Sequence, residues 1–401
     1  MPPAIVFLGG ARTPFLEFGG QGRDLSPTDL GVIAAEGALA RAQVSASDIQ
    51  NVVIGNVVHC KEDAAYLARH VGLRAGVPIE TPALTVNRLC GSGLQAIITG
   101  AQEMLLEESE NVLAGGTESL STAPYVVPRA RWGNAMNAMP LVDTLWSALT
   151  DSFCKTPMAI TAENLADKYG ISREEQDAFA LASHAKAHAS QAALAREIVP
   201  VRIAGRKGEI ELSTDEHVRG DATTEGLARL PARFRDNGTV TAGNASGIND
   251  GAAAIVMATD AWASRQGLVP WATLTSWAVA GVEPAYMGYG PVPASQKALA
   301  RAGLGLEDMA VVEINEAFAA QALAVCKGLG LESDRVNRQG GAIALGHPLA
   351  ASGTRLVLTA LDQLVQRGGG HALVTLCIGG GQGIAAILTV DDKLHLPAGS
   401  R

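Results

Sequence analysis

The sequence has few cysteines, and none of them has the paired spacing of a zinc or redox site. Its five cysteines are Cys60, Cys90, Cys154, Cys326 and Cys377. Their number is odd, they lie far apart, and no C-x-x-C pair occurs, which indicates free thiols. Most buried cysteines act as small hydrophobic residues. We therefore predict no metal site, and Cys90 and Cys377 need separate arguments.

The chain also lacks a long apolar run and an excess of basic residues. Apolar stretches such as residues 320–325 end well before the roughly 18 residues that a membrane span needs, so we expect no membrane segment. With 40 acidic and 31 basic residues the net charge is −9, which argues against a nucleic-acid partner. The opening MPPAIVFLGGARTPF resembles neither a signal nor a transit peptide. We expect a cytoplasmic protein.

What the chain has is length and a repeated pattern of strands and helices. Its 401 residues, 47% of them hydrophobic, suffice for large buried cores. Each half has an apolar strand, a turn of small residues, a helix, a second strand and a glycine pair. The pairs are Gly115-Gly116 and Gly379-Gly380. This pattern predicts the α/β class and a duplicated unit.

Prolines, tryptophans and polar helices interrupt the pattern between the two halves. We predict an inserted cap domain at residues 120–248, a first half from residues 1–119 and 249–270, and a second half from residues 271–393. Related halves packed face to face would bring their turns and helix amino termini to one central site. Anions and thiolates are favoured at such termini.

Cys90 lies at a predicted strand-to-helix junction, in V-N-R-L-C-G-S-G-L. Unpaired backbone N–H groups and the helix dipole can lower the pKa of a thiol there from its usual value of about 8.5. Gly91 and Gly93 allow a tight turn and the close approach of a thioester. The alternative is an inert buried cysteine; we predict a nucleophile.

His347 lies in the nearly uncharged segment G-G-A-I-A-L-G-H-P-L-A-A-S-G-T-R, ahead of a predicted helix. Its imidazole, with an ordinary pKa of about 6.5, could take the proton of a neighbouring thiol. The alternative is a histidine that only fills a loop. The surrounding glycines and alanines favour the functional role, because they let a bulky substrate come close.

Two further segments carry candidate site residues. In L-C-I-G-G-G-Q-G, Cys377 ends an apolar strand and the amides around Gly379 could face an oxyanion. This segment is not a dinucleotide-binding motif, because residues 384–390 indicate a strand. In N-E-A-F-A-A-Q, Asn315 lies between an apolar stretch and a helix, where capping is the alternative role.

Weaker signals come from a histidine pair and a serine. His184 and His188 are spaced i, i+4 without an acidic partner, which indicates a surface helix rather than a metal site. Ser246 in G-N-A-S-G only loosely matches a nucleophile elbow, because Asn244 stands where glycine is needed. We interpret Ser246 as a binding residue.

Together these segments resemble the thiolase family over nearly the whole chain. The motifs occur in the family's order: A-R-T-P-F, N-R-L-C-G-S-G-L-Q-A, T-A-G-N-A-S-G-I-N-D-G-A-A-A, N-E-A-F-A-A-Q, G-G-A-I-A-L-G-H-P and L-C-I-G-G-G-Q-G. The resemblance implies the thiolase fold, with two five-layered αβαβα halves and an inserted loop domain, assembled as a dimer or tetramer. It implies reversible Claisen condensation and thiolysis with ping-pong kinetics. Coenzyme A (CoA) and acyl-CoA would be substrates, and no separate cofactor is expected.

The resemblance also implies a role for each matched catalytic residue. Cys90 would accept the acyl group, His347 would activate it as a base, and Cys377 would act as general acid and base for the second substrate. Asn315 would hold a water that stabilises the enolate oxygen together with His347. The amides of Cys90 and Gly379 would receive the thioester oxyanion.

Five further positions match the family's CoA-binding residues. Ser246 would contact the pantetheine arm and Arg219 would lie near the adenine nucleotide. Met158, Met287 and Phe318 would line an apolar tunnel.

Two departures from the family pattern bear on acyl chain length. Pro157-Met158-Ala159 replaces the His-Met-Gly turn of many short-chain biosynthetic thiolases, and Ala350 stands where glycine is common. The segment A-P-Y-V-V-P-R-A-R-W-G resembles broad-specificity bacterial β-ketothiolases, whereas Pro157-Met158 resembles degradative 3-ketoacyl-CoA thiolases. We expect a short-chain acetoacetyl-CoA/β-ketothiolase, with the longer-chain degradative enzyme as the alternative.

Two other classes share this fold. Ketoacyl synthases and 3-hydroxy-3-methylglutaryl-CoA synthase also use a nucleophilic cysteine, but they lack the motif around Cys377. A non-catalytic acyl-CoA carrier would have lost Cys90, His347 or Cys377. All three are present, which favours the thiolase.

Overall fold

The computed structural model describes residues 2–133, 136, 138–205 and 208–391. Met1 and residues 392–393, at the ends of the two predicted halves, lie outside the described residues. Residues 134–135, 137 and 206–207 of the predicted cap lie outside them as well. Within the described part of the chain, no helix has the length and apolar character of a membrane span.

The first part of the chain alternates strands with helices. Its elements are β1 (Ile5–Arg12), β2 (Leu16–Glu17), α1 (Pro27–Ala42), β3 (Val52–Gly55), α2 (Leu67–Arg74), β4 (Ala83–Val86), α3 (Ser92–Leu105) and β5 (Asn111–Ser119). Helix α1 begins at Pro27, because Ser26 and Asp29 form a capping box and a proline suits the first helical position.

The middle part of the chain has short elements and polar helices. Its elements are β6 (Tyr125–Val126), β7 (Val142–Asp143), α4 (Thr144–Ala148), β8 (Thr150–Asp151), β9 (Thr156–Pro157), α5 (Met158–Tyr169), α6 (Arg173–Ala189), α7 (Gln191–Leu194), β10 (Val201–Gly205), β11 (Gly208–Leu212) and α8 (Thr224–Ala228). Its strands pair only with one another, in three two-stranded sheets. No described strand of this segment therefore belongs to the main sheet.

The last part returns to strands and helices. Its elements are β12 (Asn249–Thr259), α9 (Asp260–Arg265), β13 (Ala272–Gly281), α10 (Pro291–Ala302), β14 (Met309–Ile314), α11 (Ala319–Leu329), α12 (Ala342–Leu345), α13 (Leu349–Arg367), β15 (Gly370–Ile378) and β16 (Gln382–Val390). Strands β12, β15 and β16 are buried over most of their length. Such continuous burial suits strands covered on both faces.

One mixed sheet runs through the molecule in the order β14-β15-β16-β13-β1-β12-β5-β3-β4. Strand β3 is parallel to β4 and β5, and β5, β12 and β1 are antiparallel neighbours. The other side repeats this arrangement, with β14 parallel to β15 and with β15, β16 and β13 antiparallel. The two sides join where β1 meets β13, at Val6–Thr273 and Phe7–Ala272. The repeated arrangement matches the duplication predicted from sequence.

Helices α3 and α13, one from each side, contact each other. The approach is close enough that a Cβ atom at Gly93 or Gly116 would overlap the carbonyl oxygen of Ala350 in α13. Only glycine fits at these two positions. The turns that precede the two helices are thereby brought together, and they carry Cys90 and His347.

Candidate active site

Cys90 lies in the turn between β4 and α3, two residues before the helix begins. Leu89 has a left-handed backbone conformation, with φ of 46°. The Ser92 hydroxyl ties the turn together, because it accepts from the Arg88 N–H at 2.9 Å and donates to the Leu89 carbonyl at 2.7 Å. Cys90 as a residue is half-buried in this turn. A tight turn of this kind presents the side chain toward the opposite half.

The surroundings of Cys90 raise the pKa of its thiol to about 11. Burial is the largest cause, and the negative charge of Glu118 adds to it. The backbone N–H groups of Gly379 and of Cys90 itself oppose the shift. The pKa of the Cys90 thiol is therefore raised, whereas its position at a helix terminus predicts a lowered pKa. Cys90 is a protonated thiol at neutral pH and needs a base to become a nucleophile.

His347, the predicted base, lies just before α13 and is 5% exposed. Its Nε2 lies 3.3 Å from the Asn315 Nδ2, and its Nδ1 lies 2.6 Å from the Ser352 Oγ. The Ser352 hydroxyl donates to the Pro348 carbonyl at 3.0 Å, so it accepts from Nδ1–H. This network assigns the proton to Nδ1 and leaves Nε2 as the acceptor.

The charge state of His347 follows from its burial. Burial lowers the pKa of the imidazole to about 3, and the positive charge of Arg355 contributes. The ring is neutral at physiological pH, with its Nε2 lone pair available to accept a proton.

Two polar residues around His347 were missed in the sequence analysis. Besides Ser352, Asn249 accepts from the His347 N–H at 3.1 Å through its Oδ1 and donates to the Leu16 carbonyl at 3.0 Å through its Nδ2. The signal for Ser352 was a hydroxyl in the first turn of the helix that follows G-H-P. Asn249 had no comparable signal, because it lies 98 residues from His347 along the chain.

Cys377 lies at the carboxyl end of β15 and is fully buried. Burial raises the pKa of its thiol, and the neighbouring Cys90 raises it further. Met287 and Ala317 pack with Cys377 in one apolar cluster, and Met158 and Phe318 pack against that cluster. The three predicted tunnel residues, Met158, Met287 and Phe318, are therefore brought together beside the second cysteine.

Gly379 and Asn315 complete the arrangement. The Gly379 N–H donates to the Cys90 thiol. Asn315 follows β14, and its side chain does not cap α11, which begins at Ala319 with Phe318 in the capping position. The Asn315 Oδ1 is buried without a hydrogen-bond partner among the described residues. It can therefore accept a hydrogen bond from a water molecule or a substrate group.

Ser246 lies at the edge of this site, whereas the position of Arg219 is fixed by other contacts. The Ser246 N–H donates to the Ala317 carbonyl at 3.0 Å, and Ala245 bridges to Phe318. Arg219 is exposed and pairs with Glu17, while its backbone N–H donates to the Nδ1 of His184 at 3.1 Å.

The histidine pair differs in part from its predicted placement. His184 is buried beside His217, with ring centroids 6.4 Å apart, so a surface role for it is wrong, whereas His188 is exposed. The burial follows from the packing of α6 against the segment around Arg219. No group of three or more His, Cys, Asp or Glu side chains in the described ranges is arranged to hold a metal ion.

Comparison with known proteins agrees with the fold. The family models "Thiolase, N-terminal domain" and "Thiolase, C-terminal domain" match residues 5–261 and 268–390. The chain is 52% identical to "Beta-ketothiolase BktB" of Cupriavidus necator over 390 residues, which is 96% of this chain and 99% of that protein. It is 48% identical to the mitochondrial 3-ketoacyl-CoA thiolase of Homo sapiens over 387 residues, covering 96% and 98%.

A solved structure gives the same result for the fold. The crystal structure of human mitochondrial 3-ketoacyl-CoA thiolase in complex with CoA superposes with a TM-score of 0.94 at 47% identity, covering 97% of this chain and 98% of that one. The chain belongs to the thiolase family. It is an acyltransferase with the duplicated α/β thiolase fold. It catalyses the reversible Claisen condensation of two acyl-CoA molecules to 3-ketoacyl-CoA and CoA, the reverse reaction being thiolysis. The predicted fold class and enzyme class are confirmed.

The Ser352 hydroxyl gives a first testable prediction. Ser352→Ala removes the acceptor of Nδ1–H, so the ring loses its fixed tautomer and orientation. Loss of one such hydrogen bond costs about 1 to 1.5 kcal/mol, which corresponds to a roughly fivefold to tenfold fall in kcat. Steady-state thiolysis of acetoacetyl-CoA measures this effect, and KM for CoA is expected to stay within about twofold.

Ser295→Ala is the matched control for that variant. Ser295 is fully buried and its hydroxyl has no hydrogen-bond partner among the described residues. The same chemical change there is expected to leave kcat unchanged. An unaltered kcat in Ser352→Ala would show that the serine only bonds back to its own helix.

Proposed function

We propose that this thiolase acts on short-chain 3-ketoacyl-CoA, with acetoacetyl-CoA as its main substrate, through an acyl-Cys90 intermediate. In the first half-reaction of the condensation direction, with acetyl-CoA as the acyl donor, the Nε2 of His347 takes the thiol proton of Cys90. The sulfur then attacks the thioester carbonyl, a new carbon–sulfur bond forms, and the bond to the CoA sulfur breaks. The departing CoA thiolate receives the proton from His347.

The oxyanion of this step has donors in place. The N–H of Gly379 already donates to the Cys90 sulfur, and the N–H of Cys90 lies beside it. Fixed amides of this kind stabilise developing charge without reorganising during the reaction. We assign the oxyanion site to these two groups.

In the second half-reaction Cys377 exchanges the proton at the reacting centre. During condensation the thiol proton of Cys377 passes to the Nε2 of His347, and the resulting thiolate removes the α-proton of a second acetyl-CoA. The enolate carbon attacks the acyl group, and the released Cys90 sulfur takes the proton back from His347. During thiolysis these steps run in reverse: Cys377 protonates the carbon of the departing enolate, and His347 then takes the proton of the CoA thiol that attacks acyl-Cys90. The enolate oxygen is stabilised by Nε2 of His347, protonated in this step, and by a water held on Asn315 Oδ1.

CoA enters along Ser246 and the apolar residues Met158, Met287 and Phe318. These apolar side chains lie beside Cys377, as an approach to both cysteines requires. Arg219, exposed in its pair with Glu17, lies in the cap and is assigned to the nucleotide end. The solved structure of the human relative in complex with CoA supports CoA as a ligand of this chain.

The proposal that the enzyme prefers a short acyl chain rests on the close packing of side chains around Cys90. Cys90 packs against one apolar cluster that draws on the loops after β3, on α4 and on α13. Two of its members, Leu145 and Leu349, are only 8% and 4% exposed. An acyl group on Cys90 meets these side chains directly, which suits two to four carbons better than a long chain. The similarity to a β-ketothiolase agrees, whereas that to the mitochondrial enzyme leaves the longer-chain alternative to be tested.

CoA-dependent thiolysis of a series of 3-ketoacyl-CoA thioesters, from about four to about sixteen carbons in the acyl chain, tests the proposal. We expect kcat/KM to be highest at four to six carbons and to fall by about tenfold or more at long chains. The enzyme is first dialysed against a chelator and assayed without added cofactor, because we propose that CoA thioesters are its only reactants.

Each other outcome points to a different protein. A maximum at long chains would identify a degradative 3-ketoacyl-CoA thiolase. Condensation without thiolysis would favour a synthase, and stoichiometric binding without CoA release would favour an acyl-CoA carrier. Loss of activity after dialysis that returns with a metal ion would refute the absence of a cofactor.

We further propose a homo-oligomer, either a dimer or a tetramer. Strand β4 lies at the end of the main sheet, and its outer edge pairs with no described strand. Leu84 on β4 and the nearby Ile79 are 42% and 72% exposed, and in the cap Trp132 and Phe153 are 82% and 85% exposed. Free edges and large exposed apolar side chains mark subunit contacts. Sedimentation equilibrium would show a monomer if this is wrong.

We propose a cytoplasmic location because the cysteines form no disulfide bonds with one another. All five are free thiols in the structure, as in a reducing compartment. Cell fractionation with antibody detection tests this, and recovery of the protein in an organelle fraction would overturn it.

A further inference from the structure

Glu118 is a fully buried carboxylate next to the two catalytic turns, at the end of β5. Its Oε1 accepts from the Val58 N–H at 3.0 Å and from the Asn56 side chain at 3.1 Å. Its Oε2 accepts from the Val57 N–H at 3.1 Å and from the Ala350 N–H at 3.2 Å. One side chain thus binds donors from both halves of the molecule.

These donors belong to the walls of the active site. Val57 and Val58 pack in the same apolar cluster as Cys90 and Ala350. Ala350 lies in the first turn of α13, three residues after His347. Glu118 therefore connects the wall around the nucleophile with the helix turn that carries the base.

Strand β5 holds this helix turn at two points. A Cβ at Gly116 would overlap the Ala350 carbonyl oxygen, so β5 and α13 are in direct contact there. Two residues further along β5, Glu118 binds the Ala350 N–H. The contact at Gly116 limits how close the turn can come, and the bond to Glu118 limits how far it can move away.

We propose that Glu118 is a positioning residue that holds the His347 turn at the correct distance from Cys90 and so sets the rate at which Cys90 is acylated. The proposal rests on the roles of Cys90 and His347 given above. Proton transfer needs hydrogen-bond distance between the thiol and the Nε2 of His347, and displacements of about 1 Å can cost roughly a hundredfold in rate.

The geometry suits this role, because the two oxygens of Glu118 accept hydrogen bonds from four donors. Burial raises the pKa of Glu118 to about 8, against the backbone N–H groups that lower it. The titratable groups that face it are Asp250, Cys60 and Cys90. A glutamine at this position has one acceptor oxygen, and its amide hydrogens would point at donors.

Single-turnover acylation of Cys90 by acetyl-CoA tests the proposal, with the acetylated enzyme quantified by intact-protein mass spectrometry. The final amplitude gives the fraction of competent sites, and the rate constant gives the speed per competent site. We expect Glu118→Gln to reach full amplitude at a rate at least about tenfold lower than wild type. The KM for acetyl-CoA is expected to change less than about twofold, because Glu118 is not assigned to substrate binding.

Glu163→Gln is the matched control. Glu163 is also fully buried and accepts from the backbone N–H groups of Thr239 and Val240, but it binds neither catalytic turn. We expect this change to lower Tm and to leave the rate per site within about twofold of wild type. Glu118→Asp, which keeps the charge on a shorter side chain, is measured in parallel and is expected to be slower than wild type.

Three outcomes would overturn the proposal. One is a wild-type rate per site with reduced amplitude in Glu118→Gln, since that pattern means fewer folded molecules with normal geometry. Another is a wild-type rate in Glu118→Asp. The third is failure of both variants to fold, which would make Glu118 a general folding residue. If wild-type enzyme is not acylated at all, the proposed function fails instead, so the two failures can be distinguished.

Discussion

Replacing Cys90 with alanine is expected to abolish thiolysis and condensation, with kcat reduced by roughly 10⁴-fold or more, as for other enzymes that lose their nucleophile. The acyl group then has no atom to which it can be transferred, so both half-reactions stop. Mass spectrometry after incubation with acetyl-CoA is expected to show no acetylated protein. The fold is expected to survive, because Cys90 as a residue is only half-buried in its turn.

Cys154→Ala is the control for that experiment, because Cys154 is the other partly exposed free thiol. It is expected to retain wild-type turnover and a single acetylation site. If acetylation persisted in Cys90→Ala and disappeared in Cys154→Ala, Cys154 in the cap would be the nucleophile and the assignment to Cys90 would be wrong.

Much of this site could be predicted because its residues occur in contiguous motifs. Cys90 lies in a glycine turn before a helix, and His347 precedes a second helix, so local sequence predicts both turns. Their meeting depends on the contact between α3 and α13, which the duplicated pattern indicates only in outline. The contact itself depends on missing side chains at Gly93 and Gly116.

The residues that support these turns could not be predicted in the same way. Glu118 binds Ala350 across 232 positions and Arg219 pairs with Glu17 across 202 positions. Asn249 likewise supports the His347 backbone from a distant strand. Such pairs depend on how elements pack, and no local pattern specifies them.

Electrostatic expectations from sequence were less successful for the same reason. The helix terminus at Cys90 suggested a low thiol pKa, but the surrounding burial raises the pKa to about 11. Burial also lowers the pKa of His347 to about 3. Both groups are thus neutral before reaction, one a thiol and the other an imidazole. The proposed mechanism therefore uses proton transfer from Cys90 to His347 rather than a preformed thiolate.

Replacing Cys377 with alanine is expected to separate the two half-reactions. Acylation of Cys90 needs only His347 and the amides, so exchange of labelled CoA into acetyl-CoA is expected to stay within about tenfold of wild type. Condensation and thiolysis need the second proton acceptor, and they are expected to fall by roughly 10³-fold, within the range for loss of a general acid or base.

Cys326→Ala controls for the cavity that this change leaves, because Cys326 is a buried thiol in a different apolar cluster. It is expected to retain condensation near the wild-type rate. Condensation of acetyl-CoA at the normal rate by Cys377→Ala would refute the acid–base role. Equal loss of exchange and condensation would mean that Cys377 supports the geometry of Cys90, whose sulfur it adjoins. The ratio of the two rates, rather than either rate alone, therefore distinguishes a proton carrier from a packing residue.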